Sequence, residues 1–286
     1  MNWIIASLLM FVSSVALYLC VRKSNALKTP QQLNNLAMFL IPVLVYMVLT
    51  VKTPTTFTLK PFEYLLIIIQ GIFFSYLGNV FSLKGIEYSP NPGYSLIISK
   101  SYVVFTAIAS IFIFSAPLTM KSVIAIVLIV LFSALIMIDK DKSRTTSNKL
   151  WFPYSMGAFF CSGLLALSSK YLLNIGVPII TRLIISNMVV TVLIFGEIRY
   201  KKIEWKKVSK NQLITLLLIG IFGSSFLYFM QVGFDLAPNV GFVNATNTAS
   251  ISLLTLMSSF FFKDELTVKK MIGIFGVTAG LLLLFL

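Results

Sequence analysis

Two cations stand where a membrane gives them no easy home. Lys100 lies eight residues past Pro92, about 12 Å into its helix at 1.5 Å per residue. Ser99, Ser101 and Tyr102 flank it. Arg182 follows Pro178 by four residues, about one turn into another apolar run. A charge at mid-bilayer costs at least ~2.5–3.5 kcal/mol, so it is normally kept for pairing or function. Lys100 has two readings: a positive group facing a cavity that holds a carboxylate or phosphate, or an ammonium tying two helices together through carbonyls and hydroxyls. The Arg182 fork suits the same anions, although an interfacial arginine also reaches head groups. Lys170, at the end of a span, reads as an anchor. The nine acids, Glu63, Glu87, Asp139, Asp141, Glu197, Glu204, Asp235, Asp264 and Glu265, all fall outside the span centres, with Glu63 just inside one. Coupling to protons or sodium through a buried carboxylate is therefore disfavoured.

Uncharged polar residues form a second signal. In the run Gly241–Ser252, the residues Asn244, Asn247, Thr248, Ile251 and Thr255 share one helical face. A lipid-facing surface would not carry that stripe. It is either a cavity wall with amide donors and acceptors or a seam of interhelical hydrogen bonds, which average ~0.6 kcal/mol in membranes. Gln70, Tyr76, Asn79 and Ser82 sit in one further span, and Ser224, Ser225, Tyr228 and Gln231 in another; Tyr18 and Asn187 complete the inventory. The candidate substrate-binding set is Lys100, Tyr102, Asn244, Asn247, Thr248, Asn79, Tyr76, Gln231, Tyr228 and Arg182. The glycines at 71, 78, 220 and 223 are read as points of close helix approach. The chain has no histidine, and Cys20 and Cys161 lie in apolar runs without metal-ligand spacing. No cofactor or metal is expected. Ser99 and Ser101 beside Lys100 suggest a Ser/Lys dyad, but neighbours on a helix point about 100° apart, so an enzyme is not the reading.

These residues must be positioned by spans. Of 286 residues, 58% are hydrophobic and 11% charged, against about 25% charged in a soluble domain. A soluble enzyme, a disordered chain and a disulfide scaffold are excluded. Apolar runs long enough to cross a bilayer fall at 2–21, 31–51, 62–83, 93–114, 120–138, 151–170, 178–196, 211–232, 241–262 and 269–286. The expected class is all-α membrane, with ten transmembrane helices. The first run lacks a basic leader and a small-residue cleavage site, so it reads as a helix and not a signal peptide. Asn91 followed by Pro92 reads as a helix start. The net charge of +14 lies in short clusters between the spans. It implies contact with anionic lipid and an orientation signal, not nucleic acid.

The two halves repeat. A shift of 148 residues places Trp3 on Trp151, Pro30 on Pro178, Gly85 on Gly233, Pro90-Asn91 on Pro238-Asn239, Gly93 on Gly241, Leu118-Thr119 on Leu266-Thr267 and Lys121 on Lys269. Thr248 falls on Lys100. The units are 1–138 and 151–286, joined by a charged linker at 139–150. Five spans is an odd number, so the second unit enters the membrane inverted, an architecture of secondary transporters. The pattern Gly233-Phe-Asp-Leu-Ala-Pro-Asn-Val-Gly241, then Phe262-Lys-Asp-Glu-Leu-Thr267, then Lys270–Gly280 resembles the EamA domain of the drug/metabolite transporter superfamily. Gly85–Gly93 and Phe114–Thr119 repeat it more loosely, with Pro117 where Glu265 stands. The resemblance implies two tandem domains, a ten-helix carrier, a central cavity formed mainly by the first four helices of each half, and termini in the cytoplasm.

Charge gives a different orientation. Seventeen of the 23 Lys and Arg lie on the side of the first, third, fifth, seventh and ninth connections, and four on the other. Positive-inside logic makes the heavy side cytoplasmic and both termini external. The expected function is alternating-access transport of a small polar metabolite, anionic or zwitterionic, in the plasma membrane. The alternative is export of lipophilic cations by aromatic side chains. The substrate and membrane lipid are the expected partners; a monomer is compatible, and the oligomeric state stays open.

Overall fold

The computed structural model describes residues 1–52, 55–138, 148–203 and 208–286. Most of the expected linker, with Asp139 and Asp141, lies outside the described residues, as does Glu204. The described residues form ten long helices: α1 (Trp3–Ala26), α2 (Gln31–Lys52), α3 (Pro61–Tyr88), α4 (Pro92–Phe114), α5 (Met120–Met137), α6 (Trp151–Asn174), α7 (Ile179–Tyr200), α8 (Lys210–Leu236), α9 (Val240–Phe262) and α10 (Val268–Phe285). All but α9 are long and apolar enough to cross a membrane, so the chain is a multi-pass membrane protein.

The helix ends follow local chemistry. The Asn91 side chain accepts from the Gly93 N–H at 2.9 Å with Pro92 in the first turn, and Asn239 accepts from Gly241 at 2.8 Å. Each satisfies an amide that a helix start leaves unpaired. Thr119 and Thr267 cap α5 and α10 in the same way. The short turns before them pass through Ser115 (φ 52°) and Lys263 (φ 57°), and the α1–α2 and α6–α7 turns pass through Lys28 (φ 56°) and Gly176 (φ 88°). Each of these pairs is 148 residues apart.

Two helices are irregular. The stretch Gln70–Tyr76 of α3 is a π-helical turn, a feature frequent at functional sites. In α4 the regular helix breaks at Ser101, whose N–H is shared between the Ile97 and Ile98 carbonyls.

Packing places α9 in the middle. It touches α1, α4, α5 and α10, while α1 lies along α8, α3 along α6, and α5 along α10. Every residue from Val240 to Ser250 is buried. A helix surrounded by protein can carry polar side chains all round, because none of them meets lipid. One buried apolar cluster (Met10, Leu17, Ile219, Phe234, Val243) joins α1, α8 and α9. A second (Val103, Ala125, Ile129, Val277) joins α4, α5 and α10. Phe112, Phe260 and Phe275 point outwards and are largely exposed, as suits a surface wetted by lipid chains.

Candidate functional site

Between the helices lies a cavity of about 450 Å³, within the range of small-molecule sites. Its wall takes side chains from α1 to α4 and from α6 to α9, and none from α5 or α10. The wall reaches Asn25, Gln31 and Ile86, at the helix ends joined by the α1–α2 and α3–α4 connections. The opposite end is covered. There Thr181 donates to the Thr56 carbonyl at 2.7 Å, and Ile67, Leu172 and Val177 pack beneath.

Seven of the ten candidate residues meet in this wall: Lys100, Tyr102, Asn79, Gln231, Arg182, Asn244 and Asn247. Three stand elsewhere. The Tyr76 hydroxyl turns to Glu197 Oε2 at 3.4 Å. Tyr228 packs beside the buried Tyr46, Leu183 and Ile184. Thr248 is buried within α9, off the cavity, and its hydroxyl lacks a protein partner.

Lys100 is placed by the break at Ser101, which ends the regular helix at its own position. Its ammonium feels Tyr18 and Tyr102, and among the described residues no hydrogen bond or ion pair reaches it. Asn244 is committed to the protein: its amide donates to Thr106 Oγ1 at 2.9 Å, and its carbonyl faces the Tyr102 hydroxyl at 3.4 Å. Asn244 thus joins α9 to α4, and its neighbour Asn247 lines the same cavity and reaches the Tyr102 hydroxyl of α4 as well.

Arg182 is 2% exposed. It is not at a head-group surface, because the Thr55–Thr56 segment lies over the start of α7 through Thr181. Its Nη1 donates to Gln70 Oε1 at 3.1 Å and to Ser169 Oγ at 2.8 Å. Both partners are neutral. Among the described residues, no Asp or Glu is in the cavity wall. Glu63, the acid nearest a span interior by sequence, accepts from the Lys60 N–H at 2.8 Å and caps α3. Lys170 donates to the Asp235 carbonyl at 2.8 Å, which ties α6 to the end of α8.

Beyond the candidate set, the wall includes Asn34, Asn35, Ser99, Ser186 and Asn187. The cluster Asn25, Asn34 and Asn35 at a span edge was the readable signal for the mouth. At the same face, Arg22 forms a two-pronged pair with Asp264 (Nη2–Oδ1 2.6 Å) and lies over the Phe262 ring at 4.4 Å. Just beyond α7, Lys201 donates to Glu197 at 2.7 Å. That hydrogen bond holds the Lys201 pKa above the usual lysine value.

No family model matches this chain, and no curated protein matches it. Twenty-nine chains of solved structure do resemble it. One, described only as "Crystal structure of protein", superposes with a TM-score of 0.80 at 14% identity, over 98% of this chain and 98% of that one. The likeness covers the whole fold, and at this identity it speaks for the fold alone.

Proposed function

We propose that the chain is a secondary carrier of the drug/metabolite type that moves a small polar organic anion or zwitterion across the plasma membrane. The observation that carries this reading is the make-up of the cavity wall. Two cations, Lys100 and Arg182, stand in it with amides and hydroxyls, and among the described residues no carboxylate lines it beside them. Such a wall attracts anions and repels lipophilic cations, although Tyr18, Phe39, Phe74 and Phe226 would suit the latter by stacking. With no lining acid among the described residues, the proposed carrier works by exchange or uniport.

Alternating access between two inverted repeats is the proposed motion. The turn conformations support it, since Lys28 and Gly176, and Ser115 and Lys263, match at an offset of 148 residues. The helix contacts support it too, because they come in exchangeable sets. Where α1 packs on α8, α6 packs on α3; where α2 packs on α8, α7 packs on α3; where α1 packs on α9, α6 packs on α4. The wall drawn from α1–α4 and α6–α9 agrees with the division that the EamA resemblance implies. The cavity reaches the Lys/Arg-rich face, so under positive-inside logic this conformation faces the cytoplasm.

The test is counterflow in proteoliposomes. Liposomes loaded with a small organic anion accumulate the labelled compound through the wild-type protein. Replacing Lys100 with Met reduces uptake or apparent affinity. Unchanged uptake would remove Lys100 from the site. Transport of a lipophilic cation, unaffected by that change, would make the protein a drug exporter.

A further inference from the structure

The guanidinium of Arg182 has a used edge and an unused one. Nη1 is held by Gln70 and Ser169. Nε is buried without a protein partner, and among the described residues nothing accepts from Nη2. The Nε–Nη2 edge carries two parallel N–H groups, the spacing that fits both oxygens of a carboxylate or two of a phosphate. Arginine does not escape burial by losing its proton, and a buried charge without a partner costs several kcal/mol. Two more groups of the same wall are equally unsatisfied: Asn187 Nδ2, a donor on the same helix, and Gln231 Oε1, an acceptor on α8. Arg182, Asn187 and Gln231 are each at least nine-tenths buried. Lys100 completes the set as a second cation.

Resting on the carrier reading and narrowing it, we infer that the substrate is a dianion. One carboxylate or phosphate group sits on the Nε–Nη2 edge of Arg182, beside the Asn187 amide. A second anionic group lies at Lys100. A hydroxyl or amide N–H between them donates to Gln231. A zwitterion fits less well, because its ammonium enters a wall that already holds two positive charges and no carboxylate. Gln70 and Ser169 are positioning residues: by pinning Nη1 they fix the guanidinium and leave its Nε–Nη2 edge without a protein partner.

The experiment is isothermal titration of the purified full chain with lactate, malonate, succinate, glutarate, phosphoglycolate and alanine. Each is run on wild type, Arg182→Lys, Lys100→Met and Gln70→Glu. A dicarboxylate or phosphoglycolate binds about tenfold or more tightly than lactate or alanine, and which of the two binds better separates a carboxylate from a phosphate on the Arg182 edge. Arg182→Lys keeps the charge but removes the fork, and weakens that binding by about tenfold. Lys100→Met abolishes the preference for two charges over one. Gln70→Glu changes no shape; it supplies Arg182 with an internal carboxylate, raises the melting temperature and weakens dianion binding. A purely structural Arg182 would show the higher melting temperature with binding intact, and that result overturns the inference. Equal binding of lactate and the dianions, or best binding by alanine, overturns it as well. Counterflow on the same preparations separates the two readings. A carried zwitterion or cation leaves the carrier and removes the dianion, whereas no flux and no binding by any compound removes both.

Discussion

Gly78 lies in the cavity wall where α3 approaches α6. A Cβ built on it would stand 2.8 Å from the Cys161 Cβ, and no other atom but the Cys161 sulfur comes within 4 Å. Ordinary contact begins at 3.4 Å, so Gly78→Ala pushes the two helices apart by roughly 0.6 Å or more. Overpacking of this kind costs about 1–3 kcal/mol, while the change from glycine to alanine in a helix returns about 1 kcal/mol. The single variant therefore understates the clash. A double-mutant cycle with Cys161→Gly isolates it, because the helix-propensity changes cancel and removal of the Cys161 Cβ relieves the contact. The expected coupling is about 1–3 kcal/mol in favour of the double variant. It is read by titrating the folded protein from mild detergent into SDS. If both single variants fold and the coupling falls below about 0.5 kcal/mol, the close approach, and the shape of the wall built on it, is refuted.

Three further outcomes are expected. Asn244→Leu strips Thr106 and Tyr102 of their partner across α4 and α9, and lowers stability by about 1 kcal/mol at the usual ~0.6 kcal/mol per interhelical bond; the same SDS titration reads it. Arg22→Ala breaks the pair with Asp264, whose side chains are each 38% exposed. Solvent screening limits the loss to about 1 kcal/mol or less, and the loss shrinks at high salt; a loss unaffected by salt would refute a mainly electrostatic pair. With Cys20 and Cys161 replaced, single cysteines at Lys23 and Lys121 report sidedness to a membrane-impermeant maleimide on intact cells. Labelling at position 121 alone supports cytoplasmic placement of the basic face, and labelling at position 23 alone reverses it.

The spans were legible because the lipid core imposes a length and an apolarity that few other environments share. All ten helices lie within a few residues of the expected runs. The Asn91-Pro92 start was equally readable, since a capping side chain and a missing amide act within one turn. What depends on neighbours was not. By its distance from Pro178 Arg182 reads as interfacial; it is buried beside Gln70 and Tyr46, more than a hundred positions away and without periodic pattern. The π-helical turn leaves no mark in composition, yet it carries Gln70, which pins Arg182, and ends at Tyr76, which turns to Glu197. The stripe on α9 was visible, but its meaning was divided. Asn244 and Asn247 both line the cavity and both reach α4, a double use that spacing along one helix does not reveal. Eight further residues from Val240 to Ser250 lie off that stripe and are buried too, because the first half of α9 has protein on every side.

That enclosure has a consequence for biogenesis. A segment whose own composition does not reach the apolarity of its neighbours gains little by leaving the translocation channel alone. Its amides and hydroxyls find partners only once α1 and α4 are in place, and both precede it in synthesis. The tight turn through Lys263 leads directly into the apolar α10, so the two enter as one hairpin, with α10 supplying the affinity for lipid and α9 the fit. The order of synthesis thus builds the cradle before the strut, and the protein's most polar span is the one whose insertion depends most on the rest of the molecule.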